Sequence, residues 1–117
     1  MRSSKPLQVR VRRVGGAVVL DLAGPLLLSD AVESFHAHVR QLLSEGVRNL
    51  AVNLTDVPKL DSSGMGALIR AFTTVKKSGG SMHTFAASEG VRQMLKMVRL
   101  DTVLELYEDE ASALAAL

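Results

Sequence analysis

The sequence predicts an α/β fold built on a mixed, mostly parallel sheet, and three observations carry that prediction. From residue 30 onward, stretches with apolar residues at helical spacing alternate with short β-rich runs, the pattern of strands joined by crossover helices. Ahead of them, an alternating run and an apolar run flank Gly15-Gly16, a hairpin signal that gives the sheet an antiparallel edge. The composition suits one packed core: 117 residues, 47% hydrophobic and 22% charged, are too apolar for disorder and too few for two cores. The chain, 1–117, therefore reads as a single domain, with residues 1–6 as a flexible N-terminus.

Each element has its own signal. Leu7, Val9 and Val11 alternate with Gln8, Arg10 and Arg12, the period of a half-exposed strand. Residues 17–22 form a mostly apolar second strand, closed by Gly24-Pro25. Asp30 and Glu33 make an N-cap pair for a helix with Val32, Phe35, Val39, Leu42 and Leu43 in phase, ended by Gly46. Residues 49–54 are a strand bounded by the turn Thr55-Asp56-Val57-Pro58. Residues 62–78 carry Met65, Leu68, Ile69, Phe72 and Val75 on one helical stripe, up to Gly79-Gly80. Residues 81–85 are a further strand, and Ser88 opens a third helix with Val91, Met94, Leu95 and Val98 inward. Residues 103–107 read as a last strand, and 110–117 as a C-terminal helix with Ala111, Leu114 and Leu117 in phase.

Composition also excludes chemistry. Without cysteine there is no disulfide framework, no thiolate zinc site, no iron-sulfur cluster and no cysteine nucleophile. A net charge of +2 is no nucleic-acid signature, and 3% aromatic residues leave few platforms for stacking bases. The apolar runs are far shorter than the ~20 residues that span a bilayer, and the N-terminus has no signal-peptide core. The expectation is a cytoplasmic protein that inserts into no membrane. His36, His38 and His83 are scattered and predict surface or satisfied structural roles, with no metal site and no cofactor.

The stretch Lys59-Leu60-Asp61-Ser62-Ser63-Gly64-Met65-Gly66 lies between a predicted strand and a predicted helix, where α/β proteins place function. Asp61 or Ser62 can cap the helix. Gly64 and Gly66 each cost a helix about 1 kcal/mol relative to alanine, which implies that another backbone, of this chain or of a partner, comes close. A hydroxyl at a helix N-terminus is also a good place for a phosphate, because the amides and the dipole favour an anion. Plain capping and phosphate acceptance both fit these residues. Other motifs fail on spacing: there is no P-loop, no third glycine for a dinucleotide fingerprint, and no Gly-x-Ser-x-Gly elbow.

Asp61-Ser62-Ser63-Gly64-Met65-Gly66, with the preceding Leu50-Ala51-Val52-Asn53-Leu54, the Gly24-Pro25 turn, Gly79-Gly80 and Val98-Arg99-Leu100-Asp101, resembles the signature of the STAS domain family, the anti-sigma-factor antagonists and their relatives. The resemblance implies about four helices packed on one face of the sheet. It also implies a non-enzymatic partner switch with Ser62 as phosphoacceptor. The unphosphorylated form binds an anti-sigma factor that is also a serine kinase. Phosphorylation dissociates the pair, and a PP2C-type phosphatase resets it. Asp61 would orient the serine, Ser63 would complete the motif, and Gly64 and Gly66 would let the kinase approach. Lys59 departs from the bulky apolar residue many members carry there, which puts partner choice in question. Two other roles within the resemblance are a scaffold subunit of a stress-sensing assembly and an accessory subunit of a lipid-transporting ABC system.

Helical geometry then sorts the surface. Ser62, Gly66, Arg70, Thr73 and Lys77 fall along one side of the second helix, and the resemblance makes this side, with Lys59 and Met65, the docking surface. Arg92, Lys96 and Arg99 form a basic stripe on the third helix, either a solvated face or a second contact.

Overall fold

The computed structural model describes residues 6–27 and 30–117. Strands β1 (Gln8–Val14) and β2 (Ala17–Ala23) form the predicted antiparallel hairpin, with Val14 opposite Ala17 across the glycine turn. Helix α1 (Asp30–Ser44), strand β3 (Asn49–Asp56), helix α2 (Ser62–Lys77), strand β4 (Ser81–Phe85) and helix α3 (Glu89–Met97) follow. A short helix α4 (Leu100–Val103), strand β5 (Leu106–Tyr107) and helix α5 (Glu110–Ala115) complete the chain. The sheet order is β1-β2-β3-β4-β5, with every pair after the hairpin parallel.

Alternation along the central strands assigns the two faces. Val18, Leu20 and Leu22 of β2 with Leu50, Val52 and Leu54 of β3 point into the main core, where Phe35, Val39, Leu68, Ala71, Val75, Val91, Leu95 and Leu104 of the helical layer meet them. The intervening Val19 and Ala51, with Phe85, form a smaller cluster on the opposite face under Ala113 of α5. Helices α1, α2 and α3 thus lie on one face, as expected, with the unforeseen α4 beside them, whereas the C-terminal helix, expected on that face too, lies on the other. The physical reason is the apolar surface left by Val19, Ala51 and Phe85, which needs a cover of its own.

Other boundaries move for local reasons. The last strand does not begin at residue 103. Leu100 and Leu104, four apart, both turn toward the core, and Leu104 N donates to Leu100 O at 2.8 Å, so this stretch winds as a helical turn and only Leu106–Tyr107 pair as strand. Val98, expected inward, is 51% exposed, because it caps α3 just before the chain turns through Arg99 in a left-handed conformation. Asp30 stands in the first turn of α1 rather than before it. The expected flexible N-terminus falls on residues that lie outside the described ones, except Pro6. Among the described residues, no helix is long and apolar enough to cross a membrane.

Candidate functional site

Two loops at the carboxyl ends of β2 and β3 are laced together and set the start of α2. Gly24 N donates to Asp56 O at 3.0 Å and Leu26 N to Lys59 O at 3.1 Å, and Leu26 and Leu60 pair as an isolated parallel bridge. Both leucines are buried, as is Val57 between them in the chain. The connection before α2 is therefore part of the core, although it carries a turn sequence.

Asp61 follows in extended conformation and caps the helix: its Oδ1 accepts from Gly64 N at 2.9 Å, and its carbonyl accepts from Met65 N at 2.9 Å. The side-chain bond satisfies one of the amides that a helix start leaves without intrahelical partners, and the carbonyl bond is the first of the helix ladder. Ser62 is thereby the first residue of α2, and it is exposed, while Ser63 is half-buried. Of the two capping residues the sequence allowed, the structure uses Asp61, which leaves the Ser62 hydroxyl outside the cap bond between Asp61 and Gly64.

The two glycines have different roles. Gly64 is buried, and a Cβ there would stand 2.0 Å from the carbonyl oxygen of Leu26. Its missing side chain admits the β2–α1 loop of the same chain, which corrects the expectation that it opens the surface to a kinase. Gly66 is exposed, and a Cβ there would meet nothing within 4 Å.

Arg70, Thr73 and Lys77 are exposed with Ser62 and Gly66 along one side of α2, so these five residues share an open strip. Lys59 is exposed in the preceding loop. Arg70 Nη1 lies 3.8 Å from Glu33 Oε2 of α1, an exposed pair that leaves the guanidinium accessible. The buried stripe of α2 is centred on Gly64, Ala67, Leu68, Ala71 and Val75, whereas Met65, Ile69 and Phe72 are only half-buried at its margin. The sequence stripe was rotated because it weighted the large side chains. Close packing of α2 instead uses its small ones, and the large ones border the open strip. On the third helix Lys96 is exposed and Arg92 half-buried, while exposed Arg99 belongs to the turn beyond, so the three do not form one helical stripe.

Sequence reasoning missed a polar network on the other face of the sheet. Arg12 donates to Asp21 at 2.6 and 2.9 Å and to Glu110 of α5 at 2.7 Å, and Asn53 Nδ2 donates to Asp21 Oδ1 at 2.8 Å. The Arg12 hydrogen bonds, opposed by burial and helped by Asn53, hold Asp21 below its ordinary pKa. Alternation had put Arg12 on the strand's polar side, but only the fold brings Glu110 to it. His36 is buried with Nδ1 unpartnered, not a surface or satisfied residue. Burial, then the charges of Arg70 and Arg40, lower its pKa. Among the described residues, no group of three His, Asp or Glu side chains is placed to hold a metal ion.

Comparison with known proteins gives a consistent result. A family model for the STAS domain matches residues 8–113. The chain is 24% identical over 118 residues to an anti-sigma F factor antagonist of Paenibacillus polymyxa, covering 95% of each. A relative from Thermotoga maritima is 24% identical over 74 residues, 63% of this chain and 66% of that one, so this match spans just under two thirds of the relative. Among solved structures, an anti-sigma factor antagonist from Mycobacterium paratuberculosis superposes with a TM-score of 0.83 at 22% identity, covering 97% of each chain. The phosphorylated form of the Bacillus cell fate determinant SpoIIAA superposes with a TM-score of 0.69 at 20% identity, over 94% of this chain and 97% of that one. At these identities the superpositions speak to fold.

Proposed function

The chain belongs to the STAS domain family, and from that premise we propose that it is an anti-sigma-factor antagonist switched by phosphorylation of Ser62. The observation that carries this reading is the placement of Ser62. It is an exposed hydroxyl on the first residue of α2, whose position is fixed by the Asp61 cap and by the buried contact of Gly64 with Leu26. The relative's name and the phosphorylated neighbour support the same reading.

In this switch, the unphosphorylated strip of Ser62, Gly66, Arg70 and Thr73, with Lys59 and Met65 beside it, binds an anti-sigma factor and frees the sigma factor. The anti-sigma factor acts as the serine kinase. The Ser62 oxygen attacks the γ-phosphorus of ATP held by that kinase, the serine proton passes to a kinase base, and ADP leaves. A PP2C-type phosphatase hydrolyses the ester and restores the serine. This chain contributes the acceptor and its fixed position, and the nucleotide site and the base belong to the partner.

Phosphate adds about −1.5 to −2 charges to a strip that otherwise carries Arg70 and Lys77. The α2 dipole favours that charge and Asp61 opposes it. Both effects are small beside the ~5–15 kcal/mol that holds a domain together, so the phosphate changes the docking surface and leaves the fold intact.

Incubation with the cognate kinase and ATP, followed by peptide mass spectrometry, tests the reading. Phosphate on Ser62 is expected in the wild type and none in Ser62→Ala; phosphate that persists elsewhere on the variant sinks the assignment. Arg70→Glu is expected to weaken kinase binding, and unchanged affinity would move the docking surface away from α2.

A further inference from the structure

We propose that His83 is an imidazolium clamp that holds the C-terminal helix and the β5 segment on the sheet, and that its deprotonation loosens this outer layer. His83 lies in β4 with 4% exposure. Its Nδ1 is 3.1 Å from the carbonyl oxygen of Ala113 in α5, and its Nε2 is 3.1 Å from Glu105 Oε1. The ring also packs against Tyr107 of β5, with centroids 4.9 Å apart.

The chemistry of the two partners decides the protonation state. A backbone carbonyl and a carboxylate are acceptors only, and a neutral imidazole has a single N–H. Either neutral tautomer would therefore turn one nitrogen lone pair toward an acceptor oxygen inside a buried site. The imidazolium donates to both. The cation is also placed where a cation is favoured, beside a carboxylate and a carbonyl in the last turn of a helix.

Among the described residues, the elements packed on His83 bring no second ionised contact. The register partner of His83 on β3 is Ala51, and the neighbouring element β5 brings Tyr107. From α5 it is the Ala113 carbonyl that reaches the ring, while Glu110 of that helix is paired with Arg12. Helix α2 packs against the opposite face of β4, in the main core. Glu105 is thus the one ionised group in contact with the imidazole among the described residues.

A second observation points the same way. Glu105 holds a left-handed backbone with φ of +51°, and Ala86, whose amide donates to Tyr107 O, has φ of +61°. Non-glycine residues in this region carry strain of about 1–3 kcal/mol and persist where the surroundings over-determine them. The His83–Glu105 pair is such a constraint, since it ties down the side chain of the strained residue. What the clamp guards is the small apolar cluster of Val19, Ala51 and Phe85, which α5 covers through Ala113.

Only the imidazolium donates to both acceptors, so the clamp needs the protonated ring. Nitrogen-15 NMR of the imidazole and hydrogen-exchange protection factors for α5, corrected for intrinsic rates, test this on the full chain between about pH 5.5 and about pH 8. Both His83 nitrogens are expected to carry protons at the acid end. Protection of the α5 amides is expected to fall about tenfold at the alkaline end, the scale of one lost charge-assisted bond. His83→Gln and Glu105→Gln are each expected to flatten that dependence, and Glu105, 52% exposed, can be replaced without risk to the core. A single protonated nitrogen at the acid end, or an unchanged pH dependence in Glu105→Gln, overturns the proposal.

Discussion

The inward and outward sides of α2 both carry small residues and put them to opposite uses. On the inward side, Gly64, Ala67 and Ala71 are buried, and the lack of a side chain at Gly64 is filled by the backbone of the β2–α1 loop. On the outward side, Ser62, Gly66 and Thr73 face solvent, and nothing of this chain comes near Gly66. Small residues on one side record contacts already made within the chain. On the other side they leave the surface low and open around Ser62 and Gly66, where the proposed docking would take place. Substitutions on each side test this contrast.

The largest effect is expected at Gly64. A Cβ placed 2.0 Å from Leu26 O cannot be absorbed by a side-chain rotation, because the atom it meets is backbone. Gly64→Ala must push the loop off α2, at a cost of about 3 kcal/mol or more. Chemical denaturation reads this directly. A loss under about 1 kcal/mol would mean that the laced loops yield easily, and the inward side would no longer differ in kind from the outward one.

That pair of glycines also shows how far the sequence could be read. The cost of glycine in a helix announced that some backbone comes close, but not which one, because Leu26 is distant in sequence and reaches Leu60 only through the parallel bridge. The order of elements was legible, since every strand and long helix from Ala17 to Met97 has its own periodicity or turn signal. The faces were less so. The C-terminal helix shows apolar residues in phase whichever side it covers, and its place beyond the sheet rests on the Val19, Ala51 and Phe85 cluster, with Arg12 meeting Glu110 beside it. The same holds for Arg70, legible as exposed but not as a neighbour of Glu33.

Next in size is the cap. Asp61→Ala removes the acceptor for Gly64 N while the carbonyl bond to Met65 N remains. A loss of about 1 kcal/mol is expected, with fraying confined to the first turn, where Ser62 stands. If Asp61→Asn, which keeps an acceptor oxygen, restores stability, the effect is the cap bond. If only a carboxylate restores it, the charge toward the helix dipole is what counts.

A smaller, pH-dependent effect lies where α1 meets α2. Burial, with Arg70 and Arg40, lowers the His36 pKa, so the folded chain binds this proton less readily than the unfolded one. Stability is therefore lost as pH falls below about 6.5, the ordinary imidazole value. Unfolding free energies at about pH 7.5 and about pH 5 are expected to differ less in His36→Gln than in the wild type. Equal differences would show that His36 accepts its proton without penalty and that the α1–α2 seam is wetter than its burial implies.

The smallest effect on stability, and the one that bears most on function, falls at Gly66. Alanine meets nothing within 4 Å there and favours the helix, so Gly66→Ala is expected to stabilise the fold by about half a kcal/mol. A substitution that helps the fold isolates what the glycine does for binding. If α2 docks on the kinase, the added methyl stands between two surfaces in contact, and affinity falls while stability rises. A calorimetric titration beside a denaturation curve reads both. Should affinity hold, the outward glycine is not at the interface, and the docking strip must be redrawn toward Arg70 and Thr73 or the half-buried margin of Met65, Ile69 and Phe72.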